Sequence, residues 1–368
     1  MSRKFTTRHR LSILQVITQR RFSGAERICL ALSEELQRRG HSVTLLCKPN
    51  GNMPEIAREL GITTLTPRIS GKLNLWSPLA IASIAARIKA DIIHTHLSTA
   101  ALWGSVAGRI SGLPVLAHVH AMNSRHCYIL AEMIATCSQG VRQHLINQGV
   151  APEQVRVAYN GVDMRRFDNL LPPAEVRQTL QIPTAAPLIG CVAHLSAKKG
   201  QEFLLRAVAL LTESRPDLHC LLIGEGEMLD ELRELAGSLG IAERVHLLGF
   251  RSDAIQLINT MDILILPSIA KEGLGLALVE AALLGKPTIA SNAPGIDEAL
   301  QDGVSGILVP PGNPSELASA LERLLADPAL RMRMGEAGRK RALETFTVPA
   351  MTDQVEALYY ELIEKRNK

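Results

Sequence analysis

The sequence predicts an α/β protein built from two facing, doubly wound parallel sheets. Three observations carry this. Short apolar runs alternate with amphipathic helical patterns along almost the whole chain, which is the pattern of parallel strands covered by helices on both faces. Each half has enough strand–helix units for a sheet of its own. A length of 368 residues accommodates two hydrophobic cores.

Taken in order, strand-like runs fall at 11–17, 42–47, 91–95, 114–119 and 132–136 in the first half. In the second half they fall at 187–193, 218–223, 244–248, 262–266 and 287–290. Helical patterns between them include 25–38, 76–89, 98–110, 201–213, 227–239, 275–284 and 315–326. Pro172-Pro173, following Asn160-Gly161 and a polar stretch, reads as a linker. Helices over about 329–365 carry no strand between them. The expected domains are therefore 1–165 and 166–348, with a C-terminal helix of about 349–368 packing back on the first. Open parallel sheets bind ligands beyond the C-terminal ends of their strands, so two facing sheets make an interdomain cleft.

Composition narrows the classes. Hydrophobic residues form 46% of the chain, well clear of disorder. Aromatics, at 3%, argue against a surface that stacks single-stranded nucleic acid. Cys29, Cys47, Cys127, Cys137, Cys191 and Cys220 are scattered, none in C-x-x-C spacing, and read as reduced core thiols of a cytoplasmic protein. The basic start, Arg3 to Arg10, leads into an apolar run, Leu11 to Ile17, too short for a signal-peptide core. The longest apolar stretch, Pro78 to Ile93, is broken by Arg87, Lys89 and Asp91, so no membrane span is expected. Residues 1–165 hold 20 Lys and Arg against 9 Asp and Glu, a balance of +11, whereas 166–368 hold 20 against 27, a balance of −7. The basic half suits an anionic lipid surface or another acidic partner, or is a solvated basic face. Nucleic acid is not expected, because the charge lacks interleaved aromatics.

One stretch is the most specific. Glu272-Gly273-Leu274-Gly275 is a loop that follows an apolar strand, and Glu280 falls two turns into the apolar helix behind it. Such a loop aims free backbone N–H groups and a helix N-terminus at its ligand, which favours phosphate. Two carboxylates there make sense as acceptors from hydroxyls, so the implied ligand carries both phosphates and hydroxyls, as a nucleotide sugar does.

Several segments match one family in order and spacing. They are Ser23-Gly24-Ala25-Glu26-Arg27, Asp91 to His96, Pro114 to His120, Asn160-Gly161-Val162-Asp163, Lys198-Lys199-Gly200, Ile223 to Gly226, His246 to Phe250, the acid pair, and Gly303 to Gly306. Through them the chain resembles, over nearly its whole length, the family 4 (group 1) retaining glycosyltransferases. The resemblance implies the GT-B fold, two facing Rossmann-like domains with an interdomain cleft. It implies transfer of a sugar from a nucleoside diphosphate, a UDP-sugar foremost, to an acceptor hydroxyl with the α configuration kept. The second domain would bind the donor and the first the acceptor. Neither a metal nor a further cofactor is implied.

Site residues follow by the same resemblance. Glu272 and the amides of Gly273, Leu274 and Gly275 hold the sugar hydroxyls and phosphate; Leu274 stands where the family often has Phe. Glu280 accepts from the ribose hydroxyls. Lys199 neutralises the leaving diphosphate. His194 occupies the place of a usual Arg and would supply one hydrogen bond in place of a permanent charge. Gly24 lets the backbone approach phosphate or acceptor, with Ser23 replacing a usual Gly. His120 reaches the donor sugar, so that His120, Lys199 and Glu272 are the catalytic candidates. The acceptor would be lipid-linked or a saccharide, in lipopolysaccharide, glycolipid or polysaccharide synthesis, with peripheral contact to an anionic membrane at its inner face.

Alternatives stay open at this level. Phe250 or Arg251 flanks the base, or Phe250 is core. His94 with His96, and His118 with His120, share strand faces by alternation, and adjacent strands would gather them into a metal site. A nucleotide-sugar epimerase of the same fold is a second alternative, although the first domain shows no clear extra acid pair for it, and a catalytically silent nucleotide-sugar-binding subunit would accommodate the departures at Ser23 and His194.

Overall fold

The computed structural model describes residues 9–18, 24–67, 69 and 74–367. The chain divides into two compact units, residues 1–161 with 348–368, and residues 162–347.

The first unit runs β1 (Ser12–Ile17), α1 (Gly24–Arg38), β2 (Ser42–Leu46), α2 (Met53–Glu59), β3 (Thr63–Leu65), α3 (Trp76–Arg87), β4 (Ile92–His96), α4 (Ser98–Ser111), β5 (Val115–Val119), β6 (Met133–Thr136), α5 (Gln139–Asn147) and β7 (Val155–Val157). Its sheet has the order β3-β2-β1-β4-β5-β6-β7, and every pairing is parallel. The order reverses between β1 and β4. Leu14, Val16, Ile93 and Val115 pack with Ile81, Ala85, Trp103 and Ala107 of α3 and α4 in one core.

The second unit runs α6 (Pro173–Thr179), β8 (Leu188–Val192), α7 (Gln201–Leu210), β9 (His219–Ile223), α8 (Leu229–Ser238), β10 (Val245–Leu247), α9 (Ala254–Thr260), β11 (Ile263–Leu266), α10 (Leu276–Leu283), β12 (Thr288–Ser291), β13 (Gly306–Val309), α11 (Pro314–Ala326) and α12 (Pro328–Thr345). The parallel sheet order is β10-β9-β8-β11-β12-β13, reversing between β8 and β11. Strands such as Ile263 to Leu266 are buried along their whole length, as expected for a parallel sheet covered on both faces. Helices α11 and α12 begin with Pro after an Asn or Asp cap: Asn313 Oδ1 accepts from Glu316 N at 3.1 Å and Asp327 Oδ1 from Leu330 N at 2.8 Å.

The last helix, α13 (Val348–Asn367), belongs to the first unit. Arg39, just past α1, ties it down through Asp353 at 2.6 Å, the Pro349 carbonyl at 2.9 Å and Glu356. His41 Nε2 adds a contact at 2.7 Å to Glu356 Oε1. Burial raises the Glu356 carboxyl, but the His41 and Arg39 hydrogen bonds outweigh it and hold the group below its ordinary range.

At Pro172-Pro173 the structure corrects the sequence reading, and at Phe250 it decides between two open ones. Pro172 and Pro173 are not a linker: Pro172 precedes and Pro173 opens α6, where the missing N–H costs nothing. Phe250 is no core residue; it is 65% exposed.

Candidate active site

The second unit's site is set by topology. The loops that follow β8 and β11 leave adjacent strands at the point where the strand order reverses, which opens a crevice at their C-terminal ends. The two loops are joined by a hydrogen bond from Ile269 N to the Lys198 carbonyl at 2.9 Å. Gly200, at φ +68°, makes this approach possible, since a Cβ there would stand 2.2 Å from the Pro267 carbonyl oxygen. Lys199 Nζ thereby reaches Glu272 Oε1 at 2.5 Å, and Ser268 Oγ donates to the same oxygen at 2.8 Å. Glu272 N bonds the Pro294 carbonyl at 3.1 Å, which fixes the loop.

Gly275, left-handed at φ +74°, then turns the chain into α10 with no side chain capping its first amides. The Leu278 N–H donates to the Gly275 carbonyl at 2.9 Å, which leaves the amides before it to an anion. Leu274 is 2% exposed, so its contribution to a ligand comes from its backbone. Glu280 lies on α10 with a side chain 12% exposed, and its Oε1 accepts from Arg166 Nη1 at 2.5 Å. Arg166 was not singled out in the sequence; a basic residue three positions after Asp163 carries no local signal of a partner 114 residues away.

The remaining predicted residues are more loosely placed. His194 sits in the loop after β8, its carbonyl held by Gln201 Nε2 at 2.9 Å. Its exposed ring lies 3.2 Å from Glu227 Oε2, an ion pair only when the ring is protonated. Arg251 is engaged with Asp253 at 2.6 Å. Gly24 is the first residue of α1, while Ser23 lies outside the described residues.

In the first unit the four histidines do meet, because β4 and β5 are neighbours with His96 opposite His118. Ring centroids stand 4.4 Å apart for His94 and His96, 4.3 Å for His118 and His120, and 5.2 Å for His96 and His120. Nitrogens of His94, His96 and His118 lie within 4.8 Å of one another. The His96 and His120 rings lie within 8° of parallel and those of His94 and His118 within 12°, whereas His94 and His96 are tilted by 31°.

Hydrogen bonds organise the row. His96 Nδ1 is 3.0 Å from His120 Nε2, His96 Nε2 is 2.8 Å from Gln15 Oε1, and His120 Nδ1 is 3.1 Å from Asn160 Oδ1. Tyr359 of α13 places its hydroxyl 2.6 Å from His94 Nδ1. Burial, reinforced by the neighbouring imidazoles, pushes His94, His96 and His118 well below the ordinary histidine value. Burial also lowers His120, to about 4, against the Asn160 hydrogen bond. At neutral pH the row is uncharged and acts through hydrogen bonds.

Residues 174–341 match the family model described as "Glycosyl transferases group 1", and residues 22–166 match "Glycosyltransferase Family 4". Alpha-D-kanosaminyltransferase of Streptomyces kanamyceticus is 27% identical over 380 residues, covering 90% of this chain and 98% of that protein. The UDP-Gal:alpha-D-GlcNAc-diphosphoundecaprenol alpha-1,3-galactosyltransferase of Escherichia coli is 24% identical, covering 97% and 99%. Among solved structures, Anabaena HepE in complex with UDP-glucose is similar with a TM-score of 0.84 and 25% identity, covering 96% of this chain and 100% of that one. With two family models running through both units and relatives matched along nearly their full length, the chain belongs to the group 1, family 4 glycosyltransferases and is a GT-B enzyme of the hexosyltransferase type.

Proposed function

We propose that the enzyme transfers a sugar from a UDP-sugar to the hydroxyl of a lipid-linked or saccharide acceptor, with retention at the anomeric carbon and without a divalent ion. The observation that carries this reading is the Lys199–Glu272 pair at the reversal point of the second sheet, beside the uncapped start of α10. Lys199 meets the diphosphate as charge develops on it. Glu272 accepts from sugar hydroxyls while the amides of Gly273, Leu274 and Gly275 hold phosphate oxygens. Glu280 takes the ribose, and His194, once protonated, adds charge where the family usually has Arg. Gly24 gives the acceptor or phosphate access to backbone, and His120, from the first unit, acts on the donor sugar. The acceptor attacks the face the phosphate leaves, and a leaving phosphate oxygen takes its proton. The protein supplies positioning and charge stabilisation.

UDP is favoured because the HepE structure holds UDP-glucose and the Escherichia coli relative is named for UDP-Gal. A lipid-linked acceptor is favoured by that relative's diphosphoundecaprenol substrate. The +11 balance of residues 1–165 and the exposed Leu75, Trp76 and Leu79, at 74%, 77% and 48%, support a cytoplasmic enzyme seated on an anionic membrane face. No helix among the described residues is long and apolar enough to cross a membrane.

The test is a thermal-shift and calorimetric screen against UDP-, GDP- and ADP-sugars in EDTA, followed by NMR assignment of the product anomer. A midpoint raised by UDP-sugars alone, with an α product from an α donor, is expected. A shift only after a divalent ion is added, or a β product, would overturn the reading.

A further inference from the structure

Both ring nitrogens of His120 are engaged by protein groups, and the chain they belong to has amides at its two ends. In order it runs Gln15, His96, His120, Asn160, with separations of 2.8, 3.0 and 3.1 Å. At each end the amide oxygen faces an imidazole nitrogen. At the Gln15 end, Nε2 donates to the Tyr359 hydroxyl at 3.3 Å. Tyr359 in turn bonds His94 Nδ1.

Proton counting follows from donor and acceptor chemistry. A carboxamide oxygen only accepts, so His96 Nε2 and His120 Nδ1 must both carry hydrogens. One further hydrogen is needed between His96 Nδ1 and His120 Nε2. Four nitrogens then hold three protons, one more than two neutral imidazoles possess. With both amides presenting oxygen, the pair is an imidazole–imidazolium. With either amide turned by 180° to present its NH₂ group, the same chain is satisfied with both rings neutral, in one direction or the other.

We propose that Gln15 and Asn160 are positioning residues that set the protonation state and tautomer of His120 through the His96–His120 bond. At neutral pH the pair rests neutral with one amide turned. As pH falls, His120 takes a proton jointly with His96, ahead of His94 and His118, because only this pair has a carboxamide oxygen at each end. The groups facing it are imidazoles and a phenol: His118 on β5, His94 and His96 on β4, and Tyr359 on α13. His118 has neither ring nitrogen in a hydrogen bond of normal geometry, with the Ala158 backbone as its polar neighbour, so it offers no comparable seat for a proton.

The inference about titration stands on the geometry; its consequence for turnover rests on the role proposed for His120. The test is long-range ¹H–¹⁵N NMR of the full-length protein with ¹⁵N-histidine, read from pH 8 downward. In the unaltered protein, His120 should show a single neutral tautomer at pH 8 and share with His96 a midpoint above those of His94 and His118. A higher midpoint for His94 or His118 overturns the proposal without any variant. Asn160→Asp and Gln15→Glu place a carboxylate at opposite ends of the pair, and each should raise the His120 midpoint by at least one pH unit. The acid limb of kcat should move with it, while KM for the donor changes less than threefold. A midpoint unmoved in a folded variant refutes the positioning role. A midpoint that moves while the kcat profile does not leaves the titration intact and overturns the catalytic assignment of His120.

Discussion

Lys199 and Glu272, 73 residues apart in sequence, meet at 2.5 Å with side chains only 18% and 15% exposed. The contact joins the two loops that flank the reversal point of the second sheet. Both bonds to Glu272, from Lys199 and Ser268, fall on Oε1. The other oxygen is thus directed by two contacts on its twin, which hold the carboxylate in one orientation.

Lys199→Ala is expected to lower kcat by roughly 100- to 1000-fold, the usual effect of removing one preorganised electrostatic contact to a transition state. Lys199→Arg should recover part of the loss. Steady-state kinetics with the donor identified by the binding screen provides the check, and a fall of less than tenfold would count against a leaving-group role.

Glu280→Ala should weaken UDP binding by about 10- to 100-fold, since hydrogen bonds to a charged group contribute about 1.5–3 kcal/mol. Arg166→Ala should have a smaller effect in the same direction, because the guanidinium orients Glu280 through one bond at 2.5 Å. Isothermal calorimetry with UDP separates the two; an Arg166 effect larger than that of Glu280 would mean that Arg166 itself meets the nucleotide.

Acid should destabilise the first unit early. His94, His96, His118 and His120 are held neutral by burial, whereas the unfolded chain titrates its histidines near pH 6.5. Below that pH the unfolded state binds more protons than the native one, so stability falls as pH falls. The loss should begin at about pH 6.5 and continue through about 4, where His120 accepts its proton. Each group adds up to about 1.4 kcal/mol per pH unit. Chemical denaturation followed at several pH values measures the slope, and a flat profile between pH 7 and 5 would contradict it.

Arg177→Ala should destabilise the second unit by about 3 kcal/mol or more. The side chain is 6% exposed and donates to the carbonyls of Ala186 at 2.6 Å, Thr184 at 3.0 Å and Thr260 at 2.8 Å, with Asp262 at 3.1 Å. Its removal strands the buried carbonyls of Ala186 and Thr260, while Asp262, 34% exposed, keeps its bond from Leu188 N at 2.8 Å. Calorimetry should show a lowered midpoint with UDP affinity of the folded protein unchanged.

Much of the fold was legible because long buried strands announce themselves. The runs read at 187–193 and 262–266 contain β8 and β11. β3, β7 and β13, edge strands that are only partly buried, were not read as strands. Pro172-Pro173 misled because a proline pair marks a helix start as readily as a linker. Phe250 looked equally like core or surface, since one aromatic beside a glycine has no periodic context, and the structure exposes it.

The sequence by itself determined the parallel α/β architecture, the strand–loop–helix around Glu272 and Glu280, and the phosphate-and-hydroxyl chemistry that such a loop invites. These follow from periodicity and turn chemistry, which act over neighbouring residues. Only the tertiary structure decided who meets whom: Lys199 with Glu272, Arg166 with Glu280, His96 with His120, and Tyr359 of α13 with His94 on β4. Those pairings depend on strand order and on the return of the last helix. They are set by how buried surfaces fit across long stretches of chain, and no local pattern encodes them.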